Sequence, residues 1–328
     1  MKRLLLRLLR AAVVGAILFF LGLYVYRNWS ELSRTPFAFR PLPFLISTVL
    51  VLVLYAQQSN CWGLLLGAIA KPVPAREAMA VWFASQVAKY VPGKVMLPLI
   101  RFSLCRRRGI DIGRTTVSIY LELALMTGSA IAVFLLSTFG WSDDAWRLLA
   151  GKLRWSGGAV ALRYLILLTL PAMLIAIHPR LLSGVINLGL RLLKKEPVAF
   201  RLPYSRLLLL WLAYIAGWIV YAGSCWLLML SLGFAEPGNA VGVAGVFLLA
   251  WVIGFLSFVT PGGIGVREAI LTGMLALWNV PLGLSAVAAA LSRLQWTGME
   301  MVGAALTVRD RPAPLPGEAA GAAKETPS

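Results

Sequence analysis

Two Pro-Gly segments interrupt a chain otherwise suited to lipid: Val91-Pro92-Gly93-Lys94 and Thr260-Pro261-Gly262-Gly263-Ile264-Gly265. Proline withholds a backbone donor, and glycine weakens a helix. At hydrocarbon depth an interrupted backbone is tolerated only where protein or a water-filled cavity surrounds it. The breaks therefore define sheltered points in the fold. The cations beside them, Lys89, Lys94 and Arg267, make those points the candidate working site.

The surrounding composition fits this reading. Of 328 residues, 59% are hydrophobic and 13% charged, with mean hydropathy +0.80. Soluble domains carry about 25% charged residues. The expected fold is all-α: a polytopic integral membrane helix bundle of about seven or eight spans, with two re-entrant or broken Pro-Gly elements. The net charge of +18 would suggest nucleic acid in a soluble chain. Here the cations cluster between apolar runs, which is the pattern of topology signals and anionic headgroup contact. No nucleic-acid partner is expected. Cys61, Cys105 and Cys225 form no CxxC pair and no zinc spacing. The single histidine, His178, has no neighbouring Ser or Asp that would suggest a triad, and reads as interfacial. No cofactor or metal is expected.

Along the chain, Leu4–Tyr26 reads as an uncleaved first span with a cytoplasmic N-terminus. Leu42–Leu66 is the second span, and its Gln57-Gln58-Ser59-Asn60 run places polar side chains against protein. Ala78–Tyr90 and Val95–Leu104 are each too short to cross and flank Pro92-Gly93, so they predict a re-entrant hairpin open to the cytoplasmic face. Thr116–Phe139, Ala159–Ile177, Leu207–Leu232 and Val241–Val259 are further spans, and Leu181–Leu193 is an interfacial amphipathic helix. Val266–Trp278 is short, and either crosses as a broken half-helix or turns back. Leu282–Val308 is the last span. Residues 1–309 form one membrane-embedded domain, and 310–328 a disordered cytoplasmic tail. With this topology most Lys and Arg lie on the cytoplasmic side, while Arg27, Arg34, Arg40, Arg147, Lys152, Arg154 and Arg163 lie opposite. A bacterial-type inner membrane is the expected location.

Charge within spans is costly and marks function. Arg293 sits mid-span, with Trp296 and Glu300 on the same helix face. Glu122 lies in the third span, Glu268 follows Arg267 after the second break, and Arg101 lies in the short segment after the first. The competing structural reading pairs Arg293 with Glu122 or Glu300 simply to hold the bundle together. A faint internal repeat links the halves: an apolar helix, Pro-Gly, then an intramembrane charge some thirty residues on, Glu122 in one half and Arg293 in the other. Paired broken helices in corresponding positions are the sequence sign of a transporter core.

The stretches Gln86-Val87-Ala88-Lys89-Tyr90-Val91-Pro92-Gly93-Lys94 and Thr260-Pro261-Gly262-Gly263-Ile264-Gly265-Val266-Arg267-Glu268, with Arg293 downstream, resemble the lysylphosphatidylglycerol synthase transmembrane-domain family of flippase-like membrane proteins. The resemblance covers most of Met1–Arg309. In that family the related region of the multiple peptide resistance factor moves aminoacylated phosphatidylglycerol between leaflets, and other members accompany glycolipid or hopanoid pathways. Glu122 resembles the family's acidic residue in the third span, but the Arg and Asp that often follow it are replaced by Leu123 and apolar residues. Nothing after Arg309 is expected to fold as the soluble aminoacyl-transferase domain of the full-length synthase, so synthesis of lysyl-lipid is not expected. The resemblance implies a flippase for a polar-headgroup lipid: phospholipid, aminoacyl-phospholipid, glycolipid or hopanoid. Its candidate binding set is Lys89, Pro92, Gly93, Lys94, Arg101, Glu122, Pro261, Gly262, Gly263, Gly265, Arg267, Glu268, Arg293 and Glu300. Expected partners are membrane lipids and lipid-pathway enzymes. Two alternatives stand: a membrane-embedded transferase with Glu268 or Glu122 as base, and an accessory scaffold of a lipid or polysaccharide synthesis complex using exposed aromatics of the fifth span.

Overall fold

The computed structural model describes residues 38–88, 96–192, 202–234, 236–257 and 265–313. The expected first span, both Pro-Gly turns (with Lys89, Pro92, Gly93, Lys94, Pro261, Gly262 and Gly263) and most of the tail lie outside them. The described residues form helices and turns, with no strand among them. The helices are α1 (Pro41–Ile69), α2 (Ala75–Val87), α3 (Met96–Arg107), α4 (Ile112–Ser137), α5 (Asp143–Lys152), α6 (Gly158–Leu167), α7 (Thr169–Ala176), α8 (Pro179–Leu192), α9 (Tyr204–Ser231), α10 (Ala240–Leu256), α11 (Val266–Leu275) and α12 (Leu282–Leu306). Among the described residues, five stretches are long and apolar enough to cross a membrane: Pro41–Ile69, Ile112–Gly140, Gly158–Ala176, Tyr204–Ser231 and Pro237–Leu256. α12 has the length, at 25 residues, but carries Arg293, Gln295 and Glu300.

Contacts between helix ends order the bundle between two faces. At an arginine-rich end, the end of α1, the start of α2 and the end of α3 meet, with Arg108 of the α3–α4 turn paired to buried Glu77. Arg107 donates to the carbonyl of Pro312 at 3.3 Å, which brings the segment after α12 to the same end. At the opposite end the Arg40 N–H donates to the Ser231 carbonyl at 2.7 Å, joining the start of α1 to the end of α9. The 3-10 turn Ala276–Trp278 also lies there: Trp278 stacks edge-on against Trp141, 5.0 Å between ring centroids. Trp278 also packs on Gly242 near the start of α10, where a Cβ would fall inside the indole. Lys152 of α5 caps the Gly273 carbonyl at 2.8 Å.

α2 (13 residues) and α3 (12 residues) each rise about 20 Å, short of the ~30 Å hydrocarbon core. They form a hairpin that enters and leaves at the arginine-rich end, as the sequence predicts. α11, with 10 residues, is shorter still. Because Trp278 ends beside Gly242, α10 and α11 form a second hairpin, open to the opposite end, and Val266–Trp278 turns back toward the start of α10. α1, the α2–α3 hairpin and α4 thus constitute one unit, and α9, the α10–α11 hairpin and α12 another, running in inverted directions. Inverted repeats of this kind also occur in transporter folds.

Two expectations change. Val241–Val259, expected to span, has in α10 the length and apolarity to cross but serves as one arm of the second hairpin, since α11 returns beside it to Gly242. Ala159–Ile177 keeps its expected length and apolarity as a candidate span, Gly158–Ala176, with a turn at Leu168 between α6 and α7 three residues before Pro171. The aromatics of the fifth span are not exposed: Trp211, Tyr214, Trp218 and Tyr221 of α9 are buried. Their rings fill the interior between the two units. Gln58 and Ser59 of α1 are buried as well, and Gln57 donates to the Ala213 carbonyl of α9 at 2.6 Å. α8 carries Leu181, Val185 and Leu188 exposed on one side, the pattern expected of an interfacial helix.

Candidate functional site

Each hairpin brings one charged centre to mid-depth. In the first, Arg101 of α3 pairs with Glu122 of α4; their side chains are 1% and 3% exposed. The pairing has a local origin. α3 returns alongside α2 and α4, so the Arg101 guanidinium meets Glu122 and donates from Nε to Ser85 Oγ of α2 at 2.9 Å. It lies 4.6 Å over the Trp62 ring. Glu122 also accepts the Trp82 indole N–H at 2.5 Å. The pair is buried, and each member has several partners. Glu122 therefore does not pair with Arg293, because Arg101 on the adjacent half-helix takes that position.

The second centre is assembled differently. Gly265 starts α11 with φ +86°, a left-handed conformation natural to glycine. Its N–H donates to Glu268 Oε2 at 2.7 Å. Arg267, 5% exposed, donates from Nη2 to the Tyr221 hydroxyl of α9 at 2.9 Å and to Ser292 Oγ of α12 at 3.3 Å. Tyr221 and Ser292 lie well inside their helices, so α11 begins near mid-depth. Arg267 also lies 5.4 Å over the Trp296 ring, which is surrounded by Tyr55, Tyr221, Trp251 and Trp218 at 5.1–6.4 Å. Arg293 Nη1 is 3.9 Å from Glu268 Oε1. That is an ion pair but not a hydrogen bond. Arg293 Nη2 and Arg267 Nε have no hydrogen-bond partner among the described residues, although both side chains are buried.

The two centres correspond in the repeat with the charges exchanged. In each, the returning half-helix pairs with the following long helix: Arg101 with Glu122, and Glu268 with Arg293. An aromatic bridge joins them. Tyr55 of α1 lies 5.6 Å from Trp82 and 5.2 Å from Trp296, and donates to Glu300 Oε1 at 2.6 Å. Of the sequence candidates, Gly265, Arg267, Glu268 and Arg293 converge on one centre. Glu300 joins the bridge, and Arg101 and Glu122 form the other centre. Tyr55, Trp82, Ser85, Tyr221 and Ser292 were not foreseen. The excess of aromatics in the fifth span was the available signal for Tyr221, and the polar run after Tyr55 the signal for that residue.

An apolar helical bundle with paired half-helices and buried charge at depth defines a multi-pass membrane protein. Residues 7–299 match the family described as Lysylphosphatidylglycerol synthase TM region, and the chain belongs to it. That makes it a membrane protein of lipid metabolism. No curated protein matches the chain.

Proposed function

We propose that the chain moves a lipid with a polar, phosphate-bearing headgroup between leaflets, with the headgroup passing the Arg267–Arg293 centre while the acyl chains stay in the bilayer. The carrying observation is the pair of buried guanidiniums with N–H groups unspent at the start of a half-helix. Two buried cations are costly when so incompletely partnered. A phosphate oxygen would satisfy Arg293 Nη2 and Arg267 Nε, and the positive end of α11 would add to the attraction. Each charged hydrogen bond is worth about 1.5–3 kcal/mol. The family match favours a phospholipid or aminoacyl-phospholipid as cargo, and the bias of Lys and Arg between the spans supports a cytoplasmic N-terminus in a bacterial-type inner membrane.

The test is reconstitution in vesicles with a fluorescent phosphatidylglycerol and a membrane-impermeant quencher. Arg293→Ala and Arg267→Ala are each expected to slow translocation by tenfold or more. Rates equal to the parent chain would refute the assignment.

A further inference from the structure

This inference rests on reading the Arg267–Arg293 centre as an anion site, and concerns what occupies it when no ligand is bound. Glu268 lies at the start of α11, between the Gly265 N–H and Arg293. One carboxylate oxygen accepts the Gly265 N–H at 2.7 Å at the start of α11, and the other is 3.9 Å from Arg293 Nη1. It caps the half-helix well and meets the cation poorly, so Arg293 Nη2 and Arg267 Nε remain unspent. The Glu122 carboxylate of the first centre behaves oppositely, bonding Arg101 and Trp82 closely.

We propose that Glu268 is a resident stand-in for the ligand: its carboxylate holds the anion position at the α11 N-terminus in the empty site, a phosphate displaces it on binding, and its return expels the phosphate. With Glu268 in place the two buried guanidiniums are partly compensated, which lowers the cost of the empty state. The same competition weakens binding, as a transport site requires: a cargo held too tightly does not leave. If Glu268 instead served only to position Arg293, its removal would weaken anion binding, so the two readings differ in sign.

The full chain in detergent is titrated with short-chain phosphatidylglycerol and, separately, with inorganic phosphate, following tryptophan fluorescence, since Trp296 lines the centre. Glu268→Gln keeps an oxygen for the Gly265 N–H but removes the charge. It is expected to lower Kd about tenfold, and Glu268→Ala to shift it the same way. Tighter binding of either probe supports displacement, and the probe that gains identifies lipid headgroup or free anion as the source. An unchanged or raised Kd in both variants overturns the proposal. Arg293→Gln separates the two claims: if it binds as the parent chain does, the site reading itself falls. If Arg293→Gln loses affinity while neither Glu268 variant gains any, the stand-in role alone falls.

Discussion

At the scale of single residues, the two charged centres differ in how fully their charges are spent. Arg101 and Glu122 are almost wholly buried and share Ser85, Trp62 and Trp82 as further partners. Removing one member strands the other in a medium that cannot solvate it, at a cost of about 3–5 kcal/mol, whereas replacing both with apolar residues is far less damaging. Arg101→Met is therefore expected to lower the thermal unfolding midpoint in detergent more than the double variant Arg101→Met/Glu122→Leu does. The same experiment on Arg293 should give a smaller loss, because its nearest carboxylate is 3.9 Å away and one guanidinium nitrogen has no hydrogen bond to forfeit. If Arg293→Met proved as destabilising as Arg101→Met, the division between a structural pair and a working pair would not stand.

At the scale of elements, the decisive feature is the direction in which each hairpin opens. Trp278 beside Trp141 and Gly242 fixes the second hairpin at the end that carries α5, away from Lys71 and Arg108. Single cysteines at Ala276 and Asp144 should accordingly react with a membrane-impermeant maleimide from the same side of a vesicle, and one at Lys71 from the other. Native Cys61, Cys105 and Cys225 are buried, so they give a low background. Labelling of Ala276→Cys together with Lys71→Cys would mean that α11 crosses. Much of this architecture was legible in the sequence because hydrocarbon imposes hard rules: the lengths of the apolar runs and the Pro-Gly interruptions announced spans and hairpins. The sense of the second hairpin was not legible, since length alone does not separate a returning half-helix from a broken span. It is set by tertiary contacts of Trp278 with residues far away in sequence. The partner of Glu122 was hidden for the same reason. Arg101 is separated from Glu122 by a helix end and a turn, and only the packing of α3 between its neighbours brings the two together.

At the scale of the whole molecule, the inverted units are alike in path and unlike in anchorage. α3 is held at mid-depth by the Arg101 pair, its bond to Ser85 and the stacking on Trp62, and at its arginine-rich end Arg108 pairs with Glu77. α11 is held firmly at the end where Lys152 and Trp141 fasten it, but its mid-depth start has the loose Glu268–Arg293 pair and Arg267's bonds to Tyr221 and Ser292. A repeat with one rigid and one yielding hairpin can shift its central site while the surrounding long helices stay packed, because only the weakly anchored half-helix has to rearrange. Regions with few secure contacts open more readily, and amide exchange reports that opening. Hydrogen–deuterium exchange of the full chain in nanodiscs is therefore expected to show peptides of α11 exchanging faster than peptides of α3, although both are half-helices at similar depth. Adding phosphatidylglycerol should slow exchange in α11 and leave α3 unchanged, since a phosphate spanning Arg267 and Arg293 would fasten the start of α11 to α12. Equal protection of the two hairpins, or a lipid-dependent change confined to α3, would show that the yielding element has been assigned to the wrong half.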